Sequence, residues 1–461
     1  MKTYQRLILT VAILASFVTF LDGSVVGVAL PKISMQLGGG LFTQQWVNDA
    51  YLITLGSLII AAGSFSDIFG RKRIIKIGLI GFLITSLLCA VAPSAEILII
   101  ARALQGIAGA LLVPSSLALI ISSFSGAEQA KAIGQWTAWT GTAFIVGPLI
   151  GGLLVDFLSW RWVFAINIIP IVTALVLIKR LDIKEEQLTR KHVDITGIVL
   201  NVVGLSAIVY ALIEQGHFGW TNPLVYVTLT VGIIAIIGFI VLQRTSKYPL
   251  LPLELFKVRN FSIGNISTFF IYAALSLQGF LLVIFLQQVS GYPATSAGLA
   301  SLPIIISMIL LSSRFGILAG KYGPRLFMTV GPIIAGIGTL LLLFVKIPTD
   351  YWTQLLPGIV LFGIGLSITV APLTSAVLGS IASSQAGIGS SINNAVSRIA
   401  GLVSIAMVGL FIGSTIDLNG FHTGIFLCAV LFIIGGCIAA IGIQNPHKPN
   451  YRPILETGRT Q

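Results

Sequence analysis

The chain has 461 residues, 56% of them hydrophobic, with a mean hydropathy of +0.99. Only 9% are charged, against about a quarter in ordinary globular proteins, which is too little polar surface to clothe a water-soluble fold of this size. The net charge of +12 would suit a nucleic acid if the basic residues formed a patch. They lie instead between apolar runs, and no nucleic-acid partner is expected.

A bilayer core of about 30 Å takes about 20 apolar residues per helix. Runs of that length place spans near 7–30, 45–64, 74–92, 97–121, 132–155 and 160–178. Two more fall near 195–213 and 223–243. Six follow near 261–286, 295–313, 326–345, 352–377, 388–412 and 423–443. The expected fold class is therefore an all-α polytopic membrane protein with fourteen transmembrane helices. The first run is too long for a cleavable signal peptide and ends at Pro31 without a small-residue cleavage site. Cys89, Cys428 and Cys437 fall in apolar runs without a CxxC, so no disulfide framework or metal site is indicated. The four histidines fall in connecting segments or the tail.

In chain order, the first span carries Asp22 within Leu21-Asp22-Gly-Ser-Val-Val-Gly-Val-Ala-Leu30-Pro31. Eight residues separate Asp22 from Leu30, about 12 Å of helix. It is the one acid expected deep within any span. Desolvation there disfavours a charged carboxylate, which suits Asp22 to carry a proton or to meet a cationic group; a permanent bond to Arg102 or a hydroxyl is the structural alternative. Asp49, in Trp46-Val-Asn-Asp49-Ala-Tyr51, is expected about one turn inside the second span, and Glu214 at the outer end of the seventh. Both are secondary coupling candidates that could equally be solvated.

The loop Gly63-Ser-Phe-Ser-Asp67-Ile-Phe-Gly70-Arg71-Lys72-Arg73 follows the second span. Its glycines allow a tight turn, and Asp67 can accept hydrogen bonds from a helix N-terminus or pair with Arg71 or Lys72. In the fourth span Arg102, within Leu98-x-x-x-Arg102-x-x-Gln105-Gly106, costs about 2.5 kcal/mol or more unless it faces protein or water. The fifth span carries Gly134-x8-Ala143-x3-Gly147-Pro148-x2-Gly151-Gly152. Its small residues admit a close helix neighbour and Pro148 bends the span. In the second half Gln278, Asn393, Asn394 and Arg398 are the conspicuous polar groups, with no acid beside them. The coupling machinery is therefore assigned to the first half.

Charge sets the direction. With the N-terminus inside, 22 of the 27 lysines and arginines fall on the inner side. Only Lys32, Arg161 and Lys346 fall outside, while Arg102 and Arg398 lie within helices. This asymmetry predicts both termini in the cytoplasm, and a plasma-membrane location is expected. An internal repeat organises the spans: Gly316-Ile-Leu-Ala-Gly-Lys-Tyr-Gly323-Pro-Arg325 follows the tenth span as the Gly63 loop follows the second. The offset is 253 residues, which requires two extra spans between two six-span halves. The domains expected are 1–182, a six-helix bundle; 183–250, two inserted helices with their flanking loops; and 251–461, a second bundle with a short tail.

Taken together, these motifs resemble the major facilitator superfamily in its fourteen-spanner drug:proton antiporter branch, over nearly the whole chain. The resemblance implies that Gly63, Asp67, Gly70, Arg71, Lys72 and Arg73 form a gating loop that locks the outward-open state. It implies that Arg102 assists proton transfer or holds a gating hydrogen bond. It identifies the fifth-span pattern as the antiporter motif of exporters, with Ala143 in place of the usual glycine. Asp22 falls in the branch signature LDxTVVNVALP, where Ser24 and Gly27 replace threonine and asparagine. The implied function is proton-coupled export of small amphipathic, cationic or aromatic drugs or metabolites by alternating access. A proton gradient is the energy source, no cofactor or metal is needed, and a monomer is the expected working unit. A proton-coupled importer of the same superfamily is the alternative, which the antiporter motif disfavours. A membrane-embedded enzyme would need a catalytic cluster that the sequence lacks.

Overall fold

The computed structural model describes residues 3–181, 193–382, 385–413 and 415–445. The Asp67 side chain, most of the loop before the inserted helices and the C-terminal tail lie outside the described residues. Fourteen helices are long and apolar enough to cross a membrane. They are α1 (Tyr4–Leu37), α2 (Gly40–Ser66), α3 (Arg71–Ala90), α4 (Ala95–Ser123), α5 (Lys131–Phe157), α6 (Trp162–Lys179) and α7 (Ile195–Phe218). Then come α8 (Pro223–Thr245), α9 (Arg259–Val289), α10 (Ala294–Tyr322), α11 (Pro324–Phe344), α12 (Tyr351–Leu378), α13 (Ala386–Ile412) and α14 (Leu418–Gly442). The described residues contain no strand. The fold is all-α: two six-helix bundles, α1–α6 and α9–α14, with α7 and α8 inserted.

α1 does not stop at Pro31 but continues to Leu37. A proline inside a helix clashes with the carbonyl four residues earlier. Here that residue is Gly27, and a Cβ placed there would have nothing within 4 Å, so the strain has room to relax. α2 then begins at Gly40, five residues before the expected start. α5 is interrupted at Thr142, where the hydroxyl bonds Trp139 O at 2.6 Å. Pro148 lies six residues further on, inside helix that continues unbroken from Ala143 to Phe157. The interruption therefore falls at the hydroxyl that takes a backbone carbonyl and not at the proline. His217 and His422, expected in connections, lie in the last turn of α7 and the first turns of α14.

The repeat survives in the backbone. Gly70 between α2 and α3 has φ 91°, and Gly323 between α10 and α11 has φ 90°, a conformation only glycine adopts readily. Lys72 donates to Leu181 O beyond α6. Arg325 donates to Ala440 O on α14 at 2.8 Å, and α14 is the sixth helix of its own bundle. Each half thus ties its second-to-third turn to its own last helix. These basic side chains, with Lys179, Arg244, Lys257 and Arg259, mark one end of the molecule, the basic face. The inserted helices pack on each other at Gly204 and Gly232. α7 meets the first half through Asn201 Nδ2, which donates to Ser57 O at 2.8 Å.

Candidate functional site

The first half closes around a buried ion pair. Arg102 Nη1 on α4 donates to Asp22 Oδ2 on α1 at 2.5 Å, with the two side chains 1% and 0% exposed. Asp22 Oδ1 accepts from Gln105 Nε2 at 3.1 Å and from Asn167 Nδ2 at 2.9 Å. Arg102 also reaches Gln105 Oε1 at 2.7 Å and Val47 O on α2 at 3.1 Å. Ser86 Oγ on α3 takes Gln105 Nε2 at 2.9 Å and Asn167 Nδ2 at 3.3 Å. The guanidinium lies 4.2 Å from the Tyr51 ring centre and 5.7 Å from that of Phe164. Five helices contribute, so the pair has the satisfied shell a buried charge pair requires. The structure therefore joins Asp22 to Arg102 and seals both from solvent. A cationic substrate meeting Asp22 directly, as expected from sequence, has no access to it in this state.

The second half has a neutral counterpart. Thr339 Oγ1 on α11 donates to Gln278 Oε1 on α9 at 2.8 Å. Ser86 and Thr339 are separated by the same 253 residues as Gly63 and Gly316. The charged version is confined to the first half.

Asp49 is deeper than expected. With α2 starting at Gly40, it lies nine residues in, about 14 Å along the helix and two residues beyond the Val47 carbonyl that Arg102 holds. It is fully buried; Oδ1 accepts from Asn48 Nδ2 at 2.9 Å, while Oδ2 has no hydrogen-bond partner. Gln45 and Gly56, four residues before and seven after it, share its helical face. Gln45 Nε2 reaches Ile405 O at 2.7 Å, and a Cβ on Gly56 would lie 3.4 Å from Arg398 Cβ. Asp49 thus lies on the stripe of α2 that faces α13 across the two halves. Asp22 is not the one deep acid. Glu214, near the far end of α7, is 7% exposed beside Trp46 and stays apart from both.

The antiporter-motif glycines work by close approach. A Cβ on Gly147 would strike Ser24 Oγ at 2.0 Å, and one on Gly151 would lie 3.0 Å from Val25 O. One on Gly152 would stand 2.5 Å from Thr295 Cα in the opposite half. Ser24 Oγ donates to Ala143 O at 2.9 Å, so two departures from the branch pattern touch each other. Gly134, nearer the basic face, has nothing within 4 Å. Pro148 O faces Gly298 on α10, 2.4 Å from where a Cβ would stand.

Several hydrogen bonds tie the two halves together away from the basic face. Asp156 at the end of α5, which sequence reasoning did not single out, accepts from Ala294 N at 3.0 Å, Thr295 N at 2.8 Å and Thr295 Oγ1 at 2.7 Å. It thereby caps the first turn of α10 from the other half. Gln287 Nε2 adds a bond to Val28 O at 2.9 Å. Towards the basic face, Gly63, Gly134, Gly320 and Gly387 all have open space around them. A cavity of about 350 Å³ opens there between α2, α4 and α13, lined in part by Ile60, Pro114 and Ser391. A second cavity, of about 580 Å³, lies at the far face between the ends of α1, α5 and α9, lined in part by Lys32, Asp156 and Gln287. The hydrogen bonds of Asp156 and Gln287 and the approach of Gly152 to Thr295 hold the halves together on that side. Among the described residues no such contact joins them at the basic face. Of the residues expected in a gating loop, Gly63 lies inside the second helix, which runs to Phe69. Arg71, Lys72 and Arg73 form the first turn of α3, so the connection itself is Gly70 alone.

The family profile described as Major Facilitator Superfamily matches residues 12–405 and again 265–459. The chain is 33% identical over 409 residues to the multidrug transporter protein MdtP of Bacillus subtilis (strain 168), covering 88% of this chain and 75% of that protein. It is 33% identical over 412 residues to the multidrug resistance protein Stp of Mycobacterium tuberculosis (strain CDC 1551 / Oshkosh), covering 89% and 76%. The methylenomycin A resistance protein of Bacillus subtilis (strain 168) matches at 33% over 412 residues, covering 88% and 87%. Among solved structures, the peptide transporter POT in complex with sulfate superposes with a TM-score of 0.69 at 15% identity, over 94% of this chain and 93% of that one, which shows the common fold. A fourteen-helix chain in two repeated bundles, with a buried ion pair in one and a cleft between them, is a membrane transporter rather than an enzyme, and it belongs to the Major Facilitator Superfamily.

Proposed function

We propose that this chain exports small amphipathic, aromatic compounds, drugs among them, in exchange for protons entering the cell. In this reading the basic face is cytoplasmic, as the asymmetry of lysine and arginine favours. The cleft then takes substrate from the cytoplasm or inner leaflet, and the relatives named for multidrug, puromycin and methylenomycin A resistance support export.

The observation that carries the reading is the Asp22–Arg102 pair and its place on α1. A proton on Asp22 removes the charge that holds Arg102, which keeps Gln105, Val47 O and the Tyr51 ring. α1 is then free to shift against α4. Two and three residues further along, Ser24 and Val25 pack on Gly147 and Gly151 of α5, whose neighbour Gly152 closes the far face against Thr295. Protonation at one point of α1 thus bears on the closure through a single turn of helix. Asp49 is a second proton carrier in this scheme, and Glu214 a far-face one.

The test is transport into inside-out vesicles or proteoliposomes under an imposed pH gradient, with wild type and Asp22→Asn. Wild type should concentrate a fluorescent aromatic substrate and discharge the gradient as it does so. Asp22→Asn should reach the membrane and bind, yet fail to concentrate. Undiminished uphill transport in Asp22→Asn would move the coupling to Asp49 or Glu214. Accumulation in the opposite direction would establish the importer reading.

A further inference from the structure

Between the two halves stands a cation without an ionic partner among the described residues, Arg398. It lies near the middle of α13, opposite Gly56 of α2, and is half-buried. Among the described residues no carboxylate pairs with it, and it makes no hydrogen bond. Its guanidinium lies 5.5 Å from the centre of the Phe20 ring on α1, in the other half. Tyr272 on α9 lies at the same level, because α9 and α13 meet on either side of it, at Asn265 with Asn393 (3.1 Å) and at Ser276 with Gly401. An arginine within the membrane is ordinarily paired, and one left without a counter-ion marks a substrate path.

Three glycines of α1 and α9 leave open room near it. Gly23 and Gly27 follow Phe20 by three and seven residues, on the face of α1 that looks across at Arg398. Gly279 follows Tyr272 by seven on α9. A Cβ on any of these three glycines would have nothing within 4 Å. The two central helices are therefore bare at this level, with an aromatic ring at one end of each bare stretch. Neither deep acid forms an ion pair with Arg398 among the described residues. Asp22 is bonded to Arg102 on the opposite face of α1, and Asp49 lies seven residues from Gly56 along α2, about 10 Å away.

We propose that Arg398 is the specificity-determining residue of a site for amphipathic aromatic anions, taking a carboxylate or sulfonate while Phe20 and Tyr272 flank the ring. The class is opposite in charge to the cationic compounds expected from Asp22. This rests on the transport reading above but concerns which substrate the cleft admits.

Fluorescein and rhodamine 6G share a xanthene ring and differ in charge, so they separate ring recognition from charge recognition. Binding of each is measured by fluorescence polarisation on purified protein in lipid nanodiscs, for wild type, Arg398→Lys, Arg398→Gln and Arg398→Glu. Wild type should bind fluorescein more tightly than rhodamine 6G. Arg398→Gln should weaken fluorescein by roughly tenfold to a hundredfold, the worth of a hydrogen bond to a charged group, and leave rhodamine 6G nearly unchanged. Arg398→Lys should keep most of the fluorescein affinity, and Arg398→Glu should reverse the preference. Preference of the wild type for rhodamine 6G, equal losses for both dyes in Arg398→Gln, or binding of neither dye to the wild type would overturn the site. Fluorescein that binds as expected but is not concentrated by a pH gradient would leave the site standing and remove proton-driven export.

Discussion

Removing one member of a buried pair strands the other in a low-dielectric interior, which typically costs about 3–5 kcal/mol. Asp22→Ala should therefore lower stability by about that much, and Arg102→Leu by a similar amount, whereas the double variant should lose much less than the sum. Unfolding of the purified variants in detergent measures this, and additive losses would mean that the two side chains do not interact in the folded protein. The pairing was legible in sequence only as one alternative, because hydropathy gives depth along each helix but not which faces meet. Gln105 was visible in its motif. Asn167 was not singled out, although an amide in the apolar run of α6 was a signal that could have been read. Asp49 was placed too shallow for a physical reason: the polar turn Thr43-Gln44-Gln45 looks like solvated loop by hydropathy. Gln44 instead donates to Ser34 Oγ at 2.7 Å and Gln45 to Ile405 O, so the turn is buried helix and everything after it lies deeper.

Along a single helix, α5, one sequence motif has two fates. A Cβ on Gly152 must displace the backbone of α10 at Thr295, whereas a Cβ on Gly134 meets open space. Gly152→Val should open the far face and abolish most transport. Gly134→Ala should transport normally and gain about 0.5–1 kcal/mol of stability from the lost flexibility of the unfolded chain. Pulsed EPR between spin labels at positions 35 and 347, one on each half at the far face, reads the opening directly. An unchanged distance in Gly152→Val would show that the Gly152–Thr295 approach does not hold the closure. The glycine pattern in α5 was legible from spacing, but its partners were not. Thr295 and Gly298 follow a loop with no motif of its own, and only the packed structure brings α10 against Pro148.

For the whole molecule, Asp156 holds the first turn of α10 at the far face, and in the proposed transport cycle that contact must break. A disulfide between Asp156→Cys and Thr295→Cys, with the native cysteines replaced, should arrest transport while the cleft still binds substrate. Transport that persists after complete cross-linking would mean that the far face never opens at this point. Topology has its own test: single cysteines at positions 254 and 347 should be labelled from opposite sides of the membrane. The number of spans and the duplication were legible because hydropathy and basic residues repeat on the scale of the bilayer. The direction in which the cleft stands open was not, since the same glycines and loops serve both states and their difference lies in which contacts are made.

The unpaired cation at Arg398 has an energetic corollary. Exchange of one entering proton for one leaving monovalent cation is electrically silent, and only the pH difference drives it. Exchange of the same proton for a leaving monovalent anion carries two charges inward per cycle. At about 2.3 kcal/mol per charge per 100 mV, this adds about 4.6 kcal/mol, enough for an additional gradient of roughly two-thousandfold at that voltage. An exporter built around Arg398 is therefore a voltage-powered machine. A potassium diffusion potential set with valinomycin, at equal pH on both sides, should by itself drive fluorescein against its gradient in proteoliposomes. Indifference to that potential would show that no net charge moves in the cycle.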